Sequence, residues 1–286
     1  MRILILGGSG VVGFHFAHEL KASHEVITLA RSSKNVDYNF DVMQFDELSN
    51  MISRLSPDVI VNAVKPPLST DAMEKEQEIA YAINTQLPDF LSDLQSSHNY
   101  LLVHLSTDWV YEGKEGEIYA EDSPICPLNY YANTKAMAEE AIRTKAKEYL
   151  LLRTEGVFGY DEKGTNLLLR LKAASLNHQS LKLPVDKYSQ PISGKELSRI
   201  TANLIKNRAR GIFNSVGRDY LSRYDFAYKA CERLGYSCDL IKTSVKDKTL
   251  PVPAFLRVNI NKIEKAAGIQ IKDLNTQIDE LKGFVC

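Results

Sequence analysis

The sequence is poor in several features that would point elsewhere. It has only 4 cysteines, Cys126, Cys231, Cys238 and Cys286, far apart and without a C-x-x-C pair. Neither a zinc ribbon nor a disulfide framework can be written from that spacing, and a reducing cytoplasm fits it best. No apolar run approaches the ~18 residues of a membrane span. The apolar start, Arg2 to Leu6, stops at Gly7-Gly8 before reaching the length of a signal-peptide core. No sign of charge dominates either: 35 basic side chains nearly cancel 36 acidic ones. No bulk field therefore directs the chain to nucleic acid or to a membrane surface. Repeats, low-complexity tracts and Pro/Gly-rich linkers are missing, so a second lobe would be interleaved with the first.

What is present suits a globular chain: 286 residues, 44% of them hydrophobic and 25% charged. At ~150 residues per domain this is one large domain or two lobes. A short β-rich run from Arg2 leads into a glycine cluster, an amphipathic stretch over Val11 to Lys21 and a second apolar run, Glu25 to Ala30. Further buried strands are expected at Asp58 to Asn62, Tyr100 to Leu105 and Tyr149 to Arg153, with helices over Glu74 to Gln95 and Ala132 to Lys147. Continuously apolar strands imply a parallel sheet covered on both faces. The expected fold is therefore α/β, a doubly wound parallel Rossmann sheet with a smaller interleaved C-terminal substrate lobe. Residues 1–160 would form the dinucleotide-binding part with 185–215 returning to it, and 161–184 and 216–286 the lobe.

Gly7, Gly10 and Gly13 form G-x-x-G-x-x-G between the first strand and the first helix. Bare backbone there can approach a pyrophosphate at a helix N-terminus, although a plain tight turn is the simpler alternative. Where a carboxylate would hold the adenosine ribose, the chain has Arg31-Ser32-Ser33-Lys34. Cation and hydroxyls favour the 2′-phosphate of NADP(H) over NAD(H).

Reducing a carbonyl requires a proton donor for the nascent alkoxide, and a tyrosine serves if a cation lowers its pKa. Tyr131 and Lys135 lie one helical turn apart, on one face. Ser106-Thr107-Asp108-Trp109 follows a buried strand, at the sheet edge where ligands sit. The histidines His15 and His18 are expected to be solvated, His104 to be a satisfied core residue, and Glu74 to Glu78 to be a solvated helix face. For Trp109, stacking on a substrate and simple packing both stay open.

Together these residues resemble the extended short-chain dehydrogenase/reductase family, and within it the dTDP-4-dehydrorhamnose reductase branch. The segment Ser106 to Tyr111 is similar to the branch's S-T-D-Y-V-F, and Gly113 to Tyr131 to the loop entering its Y-x-x-x-K helix. Leu152 to Gly159, Gln190 to Ile192, Gly211 to Asn214 and Ser222 to Ala227 extend the likeness over nearly the whole chain. The resemblance implies a triad in which Thr107 orients the keto oxygen, Tyr131 donates the proton and Lys135 tunes it. It also implies NADPH as hydride source and a nucleotide-linked 4-keto-6-deoxy sugar as substrate.

The expected cofactor contacts are Gly7, Gly10, Val11, Val12, Gly13, Arg31, Ser32, Asn62, Ala63, Tyr131 and Lys135. The expected substrate contacts are Thr107, Asp108, Trp109 and Tyr131. Trp109 stands where the branch has tyrosine, Ala132 where it has glycine and Val64-Lys65-Pro66-Pro67 where it has A-A-Y-T. His15 replaces a metal-binding glutamate of some members, so no metal site is expected, and a homodimer stays open. Arg223, Tyr224, Arg257 and Asn259 are weighed as nucleotide contacts against plain helix surface. A redox-neutral epimerase or dehydratase, or a non-catalytic NADP-binding regulatory subunit, are the alternative functions.

Overall fold

The computed structural model of the protein describes residues 1–247 and 249–285. Its first strand, β1 (Arg2–Leu6), sends Ile3 and Ile5 into one core and Leu4 and Leu6 into another. A strand with apolar side chains on both faces belongs in the middle of a sheet covered on both sides. The chain continues through α1 (Val11–Leu20), β2 (Glu25–Ala30), β3 (Tyr38–Asn39), α2 (Phe45–Leu55) and β4 (Val59–Asn62). A short α3 (Thr70–Met73) precedes one continuous helical run: α4 (Gln77–Tyr81), a π turn (Ala82–Gln86) and α5 (Leu87–Leu94). Then come β5 (Leu101–Thr107), a 3-10 turn (Asp108–Val110), α6 (Tyr130–Lys145), β6 (Tyr149–Thr154), α7 (Leu167–Leu176), β7 (Ser180–Pro184), β8 (Tyr188–Ser189), α8 (Gly194–Lys206) and β9 (Gly211–Asn214). The rest is β10 (Leu221–Ser222), α9 (Arg223–Leu234), β11 (Asp239–Thr243), α10 (Asn261–Ala267), α11 (Leu274–Asp279) and α12 (Lys282–Val285).

Seven strands pair in parallel in the order β3-β2-β1-β4-β5-β6-β9. Phe16 of α1, Leu197 and Leu204 of α8 and Ile263 of α10 cover one face. Leu48 and Ile52 of α2, Leu87 and Leu91 of α5 and Ile142 of α6 cover the other. The sheet is thus the doubly wound Rossmann type, and its order reverses between β1 and β4, which opens a crevice at their C-terminal ends. Beyond it, the pairs β8–β10 and β7–β11 frame a second core built on Phe158, Leu171, Phe226, Ile278 and Val285.

Several expectations need correction. Ile263, Ala267 and Ile271, in a stretch expected to belong to the lobe, pack instead in the sheet-side core, because α10 lies on α8. Cys231 and Cys238 form a disulfide. Gly235, with φ of 70°, ends α9 in the left-handed region and turns the chain back, so the two Cα atoms come within 6.3 Å. Cys126 is free and exposed, while Cys286 lies outside the described residues. His15 is fully buried rather than solvated: its Nε2 accepts the Tyr160 amide at 3.1 Å, and the ring packs where Gly159 and Gly194 leave room. Of the acidic run from Glu74, the first carboxylate is only partly exposed and accepts the Tyr130 amide at 2.7 Å, satisfying one orphan donor at the start of α6. No helix among the described residues is long and apolar enough to cross a membrane.

One buried ion pair locks α6 onto the sheet. Glu139 and Arg153 are 2% and 3% exposed, and the guanidinium reaches both carboxylate oxygens, the shorter contact being 2.6 Å. The pair has further partners. The Ser106 hydroxyl donates to Glu139 at 2.6 Å, and Arg153 also donates to the Tyr111 hydroxyl and the Glu121 carbonyl. Removing one partner strands a buried charge. Arg153→Met should therefore lower the free energy of unfolding in urea by about 3–5 kcal/mol. The double variant Glu139→Leu/Arg153→Met, which leaves no charge behind, should lose distinctly less, and an equal loss in both would show that packing rather than charge is responsible.

Candidate active site

The glycine loop meets the crevice where the strand order reverses. Gly7 has φ of +88°, and a Cβ there would lie 2.8 Å from the Ala63 carbonyl oxygen. A Cβ on Gly13 would lie 2.2 Å from the Gly7 carbonyl oxygen, so the first turn of α1 can approach β1 only with glycine at that position. Gly10 caps α1 without a side chain, so the backbone is open to an anion at a helix N-terminus, with Val11 and Val12 partly exposed beside it. Arg31 and Ser32 are exposed at the end of β2. The carboxylate of Asp37 is committed elsewhere, accepting both the amide and the hydroxyl of Thr28 at 2.8 and 2.7 Å.

Asn62 and Ala63 end β4 in the same crevice. The Asn62 side chain is 2% exposed, with its amide nitrogen 3.3 Å from His104 Nδ1 and its oxygen accepting the Val64 amide. His104 in turn lies 3.4 Å from Lys135 Nζ, so this core histidine is a strut beneath the site. Burial, then the Lys135 charge, lowers its pKa well below the ordinary value and keeps the ring neutral.

Thr107 closes β5, and Tyr131 opens α6 behind the Asn129 cap, whose side chain accepts the Ala132 amide at 2.9 Å. The two side chains approach each other at the mouth of the sheet, where Thr107 draws the Tyr131 pKa down. Lys135 does not reach Tyr131 through a direct hydrogen bond. Lys135 Nζ donates to the Leu105 carbonyl at 2.6 Å, and among the described residues no hydrogen bond joins it to Tyr131. Burial pushes the Tyr131 pKa up to about 12, against the pull of Thr107 and with the help of Asp108 and Glu155. Burial likewise brings Lys135 down to about 8, although Glu139 works against it.

Asp108 and Trp109 follow Thr107 directly. Asp108 is 1% exposed, and neither carboxylate oxygen has a hydrogen-bond partner among the described residues. Burial, then the charge of Glu155, pushes its carboxyl well above the carboxylate range, against Lys187. The Trp109 ring stands edge-on to Tyr131, with centroids 5.7 Å apart.

Of the residues weighed as nucleotide contacts, Arg223 comes to this region, where it feels the Glu155 charge. Tyr224 lies under Lys242, Arg257 is exposed over Tyr220, and Asn259 caps the Asn261 amide. Three residues at the site were not foreseen. Glu139 extends the Tyr131, Lys135 stripe by one more turn of α6, a spacing visible in the sequence. Glu155 just past β6 and Lys187 just before β8 carried no local signal.

Comparison with known proteins agrees with this geometry. The model of the RmlD substrate binding domain family matches residues 1–282. The spore coat polysaccharide biosynthesis protein SpsK of Bacillus subtilis (strain 168) is 28% identical over 269 residues, which covers 93% of this chain and 91% of that protein. A dTDP-4-dehydrorhamnose reductase of Aggregatibacter actinomycetemcomitans is 26% identical and covers 99% of both chains. Among solved structures, the dTDP-4-dehydrorhamnose reductase of Bacillus anthracis in complex with NADP shares the fold, with a TM-score of 0.88 at 19% identity over 98% of both chains.

The isolation of Asp108 has a measurable consequence. Its folded-state pKa lies above the ~4 of an unfolded aspartate. The folded protein thus binds more protons above that pH, and stability falls as the pH rises through the interval. Asp108→Asn should raise the melting temperature at neutral pH, with the gain shrinking toward pH ~4 where both states of the wild type are protonated. A variant that melts no higher than wild type at neutral pH would contradict the assignment.

Proposed function

We propose, from the premise that the chain belongs to the RmlD substrate binding domain family, that it is an NADPH-dependent reductase of a nucleotide-linked 4-keto-6-deoxy sugar. The observation that carries the reading is the approach of the Thr107 and Tyr131 hydroxyls at the sheet edge, beside a glycine-cradled crevice. The Gly7 to Gly13 backbone fits a pyrophosphate because any Cβ at Gly13 would fill the turn. Gly7, Gly10, Val11, Val12 and Gly13 would hold that group. Arg31 and Ser32 would take a 2′-phosphate, with no carboxylate free to compete through Asp37. Asn62 and Ala63 would flank the nicotinamide half, and Lys135 would hold its ribose.

NADPH, when bound, supplies the hydride for C4 of the sugar. Thr107 and Tyr131 converge on the carbonyl oxygen, Thr107 orienting it and Tyr131 giving up its phenolic proton as charge develops there. Asp108 and Trp109 border the same space. Burial raises the Tyr131 pKa, so the phenol is protonated at neutral pH and can serve as the acid.

NADPH consumption with dTDP-4-dehydrorhamnose, followed by absorbance, tests the reading. Tyr131→Phe should lower kcat by about 10²–10⁴ with NADPH affinity retained. Turnover at the wild-type rate in the variant would remove Tyr131 as proton donor, and conversion of the sugar without net NADPH consumption would replace reduction by redox-neutral chemistry.

A further inference from the structure

Trp109, the chain's 1 tryptophan, is held from three sides. Its backbone amide donates to the Thr107 hydroxyl at 3.2 Å, which ties the indole to the residue that faces the reacting carbonyl. Its edge meets Tyr131 at 5.7 Å. One face of the ring lies 4.3 Å beneath the Lys187 ammonium. That ammonium is itself paired with Glu155 at 2.7 Å, both side chains being 9% exposed. The Trp109 side chain also lies close enough to Glu155 to lower its pKa. Although burial pushes the Glu155 carboxyl up, Lys187 and Trp109 outweigh it and hold the group ionised.

The three residues come from different parts of the fold. Trp109 follows β5, Glu155 follows β6, and Lys187 precedes β8, which pairs with β10 in the second lobe. The Lys187 carbonyl also accepts the amide of Arg223, the first residue of α9. The lobe thus reaches over the sheet edge and presses a cation onto the indole. A cation close to an aromatic face is worth most where water is excluded, as it is here. The ring itself remains partly exposed. An indole fixed in this way offers a rigid apolar plane next to Thr107 and Tyr131, and the C–H face of a deoxy pyranose is the sugar surface that fits against it.

Resting on the reductase reading, we propose that Lys187, through Glu155 and its contact with the indole, is a positioning residue that sets Trp109 as the stacking platform for the sugar ring. Lys187 has no part in proton transfer. Its ammonium is spent on Glu155 and the indole face, and its effect on the reaction passes through Trp109.

The single tryptophan makes the proposal directly readable, because intrinsic fluorescence reports this ring alone. Lys187→Met keeps the side-chain stem and removes the charge. It should shift Trp109 emission, increase quenching by acrylamide, and raise KM for dTDP-4-dehydrorhamnose by about tenfold, a larger change than that in kcat, with NADPH affinity unchanged. In wild type, the stable product dTDP-L-rhamnose should change the emission where dTDP alone does not, and the variant should lose that difference. Should the stranded Glu155 charge prevent folding, Glu155→Gln/Lys187→Met removes both charges and carries the same expectations. Unchanged emission and KM in a folded variant, or equal responses to dTDP and dTDP-L-rhamnose, would overturn the proposal. Absence of wild-type turnover would overturn the reductase reading instead, and the fluorescence comparison would still decide the platform.

Discussion

The buried contact between Glu139 and Arg153 is the constraint on which the site's geometry rests. Tyr131, Lys135 and Glu139 recur every fourth residue on α6, so fixing the last of them fixes the rotation of the helix and with it the direction of the first two. The same carboxylate accepts the hydroxyl of Ser106, the residue before Thr107. One ion pair thus sets the position of Tyr131 relative to Thr107 from both sides. Burying two charges costs several kcal/mol per ion before their attraction repays it, and an arginine fork in which every nitrogen is hydrogen-bonded is a geometry that repays much of it. Tyr111 carries the network on to Asn214 at the end of β9, so three neighbouring strand ends and the helix are referenced to one centre.

Much of this was legible where local pattern is sufficient. Strands apolar on both faces declare a covered parallel sheet, so β1, β2, β4, β5 and β6 could be read nearly to their ends. The glycine triad could be read because its steric demand is local: Gly13 must lack a Cβ to let its own helix close on Gly7. The shared helix face of Tyr131 and Lys135 was visible for the same reason, since one helical turn separates them.

The parts that escaped depend on contacts between distant segments. Glu155 and Lys187 are 32 residues apart and meet only because the second lobe folds back over β6. The Cys231–Cys238 bond needed the left-handed turn at Gly235, which residue counting alone does not reveal. His15 carries a residue type that is usually solvated, yet Gly159 and Gly194 make a slot for it. The partner of Lys135 was hidden for a similar reason. Spacing puts it on the face of Tyr131, but the carbonyl of Leu105 captures its ammonium.

That capture bears on how acid chemistry is distributed around the mouth of the sheet. Lys135 is directed into the fold, where it engages β5 and the neutral His104. Tyr131 faces a different surrounding, with two buried carboxyl groups nearby, Asp108 pushed toward its neutral form and Glu155 held ionised by Lys187. Negative charge close to a phenol disfavours the phenolate, so the pocket keeps its proton on Tyr131 until a stronger base appears in contact with it. The alkoxide formed when a carbonyl accepts hydride is such a base. In the proposed reduction, a phenol kept protonated in this way would be the group that gives its proton to that oxygen.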